Sequence, residues 1–161
     1  MFAAIGDVDE ANSAIGLAIL QVADKAGRRM LTAIQNELFD LGADLATPGE
    51  DFAPSETALR IVQPQIDRLE REIDAMNEGL EPLRSFILPA GGGGAAYLHL
   101  ARAIVRRAER RAVAAAAAAP LNPLALVYLN RLSDHLFVMA RQAAMSDGGD
   151  VLWAPGATRD R

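Results

Sequence analysis

The sequence contains no cysteine, a single lysine (Lys25) and only two histidines, His99 and His135. The first absence removes disulfides, thiolate nucleophiles and cysteine-ligated zinc together, and it suits a reducing compartment. The shortage of lysine argues against a Walker-type phosphate loop, since no lysine followed by Ser or Thr closes a glycine run. Neither histidine sits in a Glu-x-x-His or His-Glu-x-x-His arrangement, which disfavours di-iron bundles and zinc hydrolases, and no Ser/His/Asp set can be argued. Aromatic residues make up 5% of the chain. Long apolar runs are missing too: the longest, residues 112–119, is far below the roughly twenty residues that span a bilayer. Residues 1–6 lack the basic start and apolar stretch of a secretory signal. The expectation is a soluble, cytoplasmic protein with no membrane contact.

What is present points to helix. The 161 residues are 51% hydrophobic and 23% charged, which fits one folded domain with one core. Alanine and leucine dominate, and no strand alternation of useful length or internal repeat occurs. Apolar periodicity predicts five helices. The first covers residues 7–26, with Val8, Ala11, Ile15, Ala18 or Ile19, and Val22 on one stripe. The second covers residues 29–46, with Met30, Ile34, Leu38, Leu41 and Leu45 inward and Thr47-Pro48-Gly49 as its stop. After a polar loop and an earlier turn over residues 58–63, the third begins near Pro64, buries Ile66, Leu69, Ile73 and Met76, and ends at Gly79. Its interleaved DRLEREID charges read as a solvated face. The fourth starts after Gly91 to Gly94 and reaches about residue 118, and the fifth covers residues 124–144. The fold class is all-α, a five-helix bundle. Alanine-rich faces on the last two helices allow close approach and leave apolar area for partner subunits.

The net charge is −5, yet five arginines crowd the fourth helix. Arg102, Arg106 and Arg110 recur every four residues and share one face, with His99 a turn earlier and Glu109 alongside. Such a row suits phosphate oxygens, because each guanidinium donates paired hydrogen bonds and keeps its proton. It also suits a solvated face laced with salt bridges. The glycines ahead of it offer either free amide groups for an anion or a flexible lead into the helix. On the fifth helix, Asn130 and Asp134 stand one turn apart in an apolar run, to bond a ligand or to fix helix packing. Asp7, Asp9 and Glu10 suit a helix start and can pair with the arginines.

Three stretches together, GDVDEANSAIGLA, FILPAGGGGAAYLHLARAIVRRAERR and YLNRLSDHLFVMAR, resemble in order and spacing the ATP:cob(I)alamin adenosyltransferases of the PduO type. QNELFDLGADLATP and GGDVLWAPG fit as well, so the resemblance covers nearly the whole chain as a single domain. It implies a homotrimer with active sites between subunits. It implies transfer of the 5′-deoxyadenosyl group of ATP to cob(I)alamin, giving adenosylcobalamin and triphosphate, with Mg²⁺ accompanying the triphosphate. Carried over by position, Arg106, Arg107, Ala108, Glu109, Arg110 and Asn130 would bind ATP, and Arg102 and Arg106 would be catalytic. Asp9 would pair with Arg102 of a neighbouring subunit, and Phe86 would lie under the corrin as an apolar wedge. No protein metal ligand and no role for His99 are implied. Partners would include further copies of the chain and a reductase or an adenosylcobalamin-dependent enzyme.

The family's Thr-Gly-Asp-x-Gly-x-Thr segment with its lysine, expected ahead of GDVDE, has no counterpart in the sequence. The expectation is therefore a start upstream of Met1 or a shortened relative with weak or absent catalysis. FILPAGGGG also departs from the family's proline and two glycines. Two other functions compete with adenosyl transfer: a non-catalytic corrinoid-binding or delivery protein of the same fold, and a nucleic-acid-binding module using the arginine row. Overall acidity and the expected lack of exposed aromatics disfavour the latter.

Overall fold

The structure, a computed structural model, describes residues 1–55 and 58–159. It contains α1 (Phe2–Gln21), α2 (Lys25–Leu45), α3 (Gln63–Asn77), α4 (Ala95–Ala116) and α5 (Pro123–Ala144), then a 3-10 turn at Met145–Asp147. Among the described residues no strand forms, and the single extended pairing is an isolated antiparallel bridge between Ile87 and Leu152. The all-α expectation holds. α1 packs on α2 and α4, and α5 packs on α3 and α4. The core is the sum of the apolar stripes: Val8, Ala11, Ile15 and Ala18 from α1, Ile34, Leu38 and Leu41 from α2, Leu98, Val105 and Ala108 from α4. Alanines at Ala101, Ala108 and Ala112 are fully buried, which lets α4 approach its neighbours closely.

The first boundary differs from the sequence reading. α1 starts at Phe2 and stops at Gln21, because Val22 is extended (φ −70°, ψ 115°) and Asp24 caps α2, accepting from the Gly27 amide at 2.7 Å. A side-chain cap at Asp24 ends one helix and starts the next; residues 25–28 therefore belong to α2. The glycine run is more than a flexible lead into the helix. Gly93 has φ +61°, and a Cβ there would lie 2.6 Å from the Ala143 carbonyl oxygen, while one on Gly92 would collide with the Asp147 side chain. The run is glycine because it lies hard against the end of α5.

Two polar assemblies inside the bundle were not anticipated. Residues 58–62 do not form the expected turn; they carry no regular structure and enter α3 through an extended Val62 (φ −123°, ψ 157°), with Arg60 and Ile61 buried. Asp44, at the end of α2, accepts from Arg60 Nη1 at 2.7 Å, the Ile61 amide at 2.8 Å and Asn122 Nδ2 at 2.7 Å. Asn122 in turn caps α5 through the Leu124 amide at 3.1 Å. One carboxylate thus joins α2, the segment before α3, and the start of α5. The second assembly corrects the solvated reading of α3 in part: Glu70, Arg71 and Asp74 are exposed, but Arg68 and Glu72 are half-buried and paired. Arg68 bridges Glu37 and Glu72, each at 2.6 Å; Tyr128 donates to Glu37 at 2.6 Å, and His135 Nε2 lies 2.8 Å from Glu72. Burial alone would raise the Glu72 carboxyl, but hydrogen bonds from His135 and Arg68 hold it below its ordinary value. The expected absence of exposed aromatics is also overturned: Phe2 is 90%, Phe86 75% and Phe39 72% exposed.

Candidate active site

α4 sorts its arginines by angle. Neighbouring residues on a helix point about 100° apart, so Arg106 and Arg107 face different partners. Arg107 and Arg111 turn to α1: Arg107 Nε lies 3.2 Å from Asp7 Oδ1, its Nη2 bonds Glu10, and Arg111 Nε lies 3.3 Å from Asp7 Oδ2. The expected pairing of the α1 carboxylates with the arginines is present at Asp7 and Glu10, while Asp9 is exposed and makes no such pair among the described residues. Arg106 turns to α5. Its Nη1 donates to Glu109 Oε2 at 2.6 Å, and Glu109 Oε1 accepts from Asn130 Nδ2 at 3.0 Å. Arg106, Glu109 and Asn130 thus form one cluster with a guanidinium, a carboxylate and an amide on a common wall. Arg110 is exposed, and no partner for it exists among the described residues. Ala108 turns inward with its methyl fully buried, so it is not brought to this wall, and neither is Arg107.

One turn earlier, Arg102 belongs to two hollows. The larger, 790 Å³, is lined by Leu83, Arg84, Phe86, Arg102, Phe137 and Trp153. The other, 410 Å³, is lined by Arg102, Arg106, Ser133, Asp134 and Phe137. The Arg102 guanidinium sits 5.7 Å from the Phe137 ring centre, close enough for the ring face to hold the cation. An apolar cleft therefore continues directly into a cationic one. Asp134 is exposed and pairs with Arg131 at 3.3 Å; Asn130 joins the Glu109 cluster and also accepts from Arg131 Nη2 at 3.4 Å, so the two polar residues of α5 share that arginine.

Phe86 is carried on a loop that the tail clasps. Leu88 donates its amide to the Val151 carbonyl at 2.7 Å and Trp153 donates to the Phe86 carbonyl at 2.9 Å. The Phe86 and Trp153 rings meet edge-on with centres 5.9 Å apart. Neither this clasp nor Phe137 was visible in the sequence reading; the one signal for it was a lone tryptophan in a tail with no periodicity. His99 is buried at the back of the cleft, edge-on to Phe137 at 6.0 Å. Burial, then the Arg102 charge, lowers its pKa, against a smaller raising effect of Asp150, so the ring is favoured in its neutral form. Asp9 lies in a groove with Asn12, Leu38 and Phe39, away from Arg102, and the two make no ion pair within one chain among the described residues. No group of three His, Asp or Glu side chains suited to a metal ion occurs among the described residues. Among the described residues no helix is long and apolar enough to cross a membrane.

Known proteins match this arrangement. The sequence model of the cobalamin adenosyltransferase family matches residues 1–143. A corrinoid adenosyltransferase of Mycobacterium tuberculosis is 52% identical over 159 residues, 97% of this chain and 81% of that protein. One from Bacillus subtilis is 42% identical over 165 residues, 97% of this chain and 82% of that protein. A solved variant of a PduO-type ATP:corrinoid adenosyltransferase from Lactobacillus reuteri, complexed with cobalamin and ATP, superposes with a TM-score of 0.84 at 37% identity, over 95% of this chain and 83% of that one. The fold, the cationic cleft beside an apolar one, and these matches agree: the chain belongs to the cobalamin adenosyltransferase family.

Proposed function

We propose that the chain transfers the 5′-deoxyadenosyl group of ATP to cob(I)alamin, and that the two hollows sharing Arg102 and Phe137 receive the two substrates. The observation that carries this reading is their continuity: the hollow lined by Arg106, whose guanidinium Glu109 holds and Asn130 braces, shares Arg102 and Phe137 with the cleft lined by Phe86. ATP lies along the first, with Arg106 and the unpaired Arg110 toward the triphosphate and Glu109 and Asn130 toward ribose or base. The corrin lies in the second, with Phe86 against its lower face.

The substrate supplies the nucleophile, so the chain has no need of one. The Co(I) electron pair forms the bond to C5′, the C5′–O bond breaks with its electrons passing to triphosphate, and cobalt ends formally as Co(III). Alignment and charge stabilisation are then the protein's tasks. Arg106 and Arg110 meet negative charge growing on the leaving oxygen. Phe86 fills the space of a lower axial ligand, which favours the reduced, four-coordinate metal. With no metal-ligating acidic cluster among the described residues, Mg²⁺ would be held chiefly by the triphosphate oxygens, where it would offset their charge. Arg107 and Arg111 hold α1 against α4 beside this wall.

The site is completed by assembly in this reading. Asp9 and Arg102 lie apart in one chain, and an Asp9–Arg102 bridge between subunits of a homotrimer would close the cleft. The cytoplasm, with its reductants, is the compartment that fits. Incubation with ATP, a reductant and cobalamin is expected to yield adenosylcobalamin, and Arg106→Ala to abolish it. Product at the wild-type rate from that variant would overturn the assignment of the arginine wall.

A further inference from the structure

Phe86 is 75% exposed, so the core does not hold it in place. Among the described residues, every hydrogen bond from residues 81–89 to another element goes to the tail or to one side chain of α5, Arg141. The tail supplies the Val151 carbonyl, the Trp153 amide and the Trp153 carbonyl, the last accepting from Ser85 Oγ at 3.4 Å. Arg141 donates from Nη2 to the Glu81 carbonyl at 2.7 Å and from Nε to Asp150 Oδ2 at 2.9 Å. Asp150 is where the tail begins, just past Gly148 and Gly149, whose φ values of 89° and 91° turn the chain back. Arg141 is 7% exposed. A single buried guanidinium therefore ties α5 to both strands of the clasp, one at its entry and the other at its root.

We propose that the Arg141–Asp150 pair is a latch that positions Phe86 for the corrinoid substrate, making both positioning residues for the corrinoid half of the reaction. The latch rests on the adenosyl-transfer reading for its catalytic consequence, but not for its effect on the tail. A charge-assisted bond of this kind is directional and largely shielded from water, so it resists thermal opening better than a surface pair. Its loss leaves a buried cation facing a carbonyl alone, and water entering to solvate it must part the tail from the loop. The ATP wall, built on Arg106, Glu109 and Asn130, shares no bond with the latch.

Trp153 is the only tryptophan, so its fluorescence reports the tail without reference to activity. In Asp150→Asn, acrylamide quenching of Trp153 should rise at least twofold. KM for the corrinoid should rise roughly tenfold, the scale of one lost charge-assisted hydrogen bond, with KM for ATP within about twofold of wild type. Asp150→Glu should recover most of both effects. Arg141→Lys, which keeps the charge but cannot serve Asp150 and Glu81 with one fork, should show a graded version, and it decides the question if Asp150→Asn fails to fold. Unchanged quenching in both variants overturns the latch, as does an equal rise in both KM values. If the wild-type chain makes no adenosylcobalamin, the adenosyl-transfer reading fails instead; the quenching series and equilibrium binding of cobalamin to the same variants then decide the latch.

Discussion

Adjacent arginines on α4 have opposite assignments, and substitution separates them. Arg106 faces Glu109 and the cleft, while Arg107 is spent on Asp7 and Glu10. Arg106→Lys retains charge but loses the planar fork, and a fall of about 10²-fold in kcat with an unchanged melting temperature is expected from steady-state kinetics and calorimetry. Arg107→Ala should do the reverse at the level of stability. Its pairs are partly exposed, so about 1 kcal/mol or less is expected in urea unfolding. Equal effects of the two substitutions on kcat and none on stability would refute this division. His99 gives a pH signature. Its pKa is lowered in the fold, so below the ordinary value of about 6.5 the unfolded chain takes up a proton that the native chain resists. Stability is then complete above that pH and declines as pH falls through the unfolded pKa, until the lowered native pKa is passed. His99→Gln should flatten this limb of the curve in denaturation measured between pH 7 and 5; an unaltered limb would assign it to other groups.

Elements are joined here by side chains as much as by apolar stripes. Asp44 collects Arg60, the Ile61 amide and Asn122 in a place where its side chain is 0% and that of Arg60 4% exposed. Asp44→Ala strands a buried guanidinium and two donors, and about 3–5 kcal/mol should be lost in chemical denaturation. A loss below 1 kcal/mol would mean that water reaches the node. The glycine run makes a parallel point about backbone. Gly93→Ala must hold a side chain at φ +61° against the Ala143 carbonyl, whereas Gly79 has nothing within 4 Å of an added Cβ. The first substitution should lower the melting temperature clearly and the second hardly at all. Both residues punctuate helices in the sequence. The proximity of α5 and the left-handed backbone at Gly93 distinguish them.

At the scale of the molecule, the exposed apolar side chains call for a partner. Phe2 is 90% and Leu20 75% exposed on α1, and Leu100 52% and Val113 53% on α4, two helices that pack against one another. Large apolar side chains left exposed in this number point to contact with another chain. Sedimentation should find three chains per particle, and Leu20→Asp with Leu100→Asp should shift the particle toward monomer and depress adenosyl transfer with it. Full activity in a monomer would exclude a site built between subunits.

Periodicity every three to four residues was enough to specify four of the helices within a few positions, most of the inward stripes, and the place of Glu109 alongside the arginine row. These depend on the helical repeat alone, which any window of the chain contains. The start of α1, the paired, half-buried charges of α3, the diversion of Arg107 to α1 and the exposure of Phe86 could not be read this way. Arg107 and Asp7 are 100 residues apart, and Ser85 and Trp153 are 68 apart. Which groups meet over such separations depends on how the rods are rotated and where the tail comes to rest. Chain packing settles those, because a polar side chain buried by one rotation has to find its partner wherever that rotation points it.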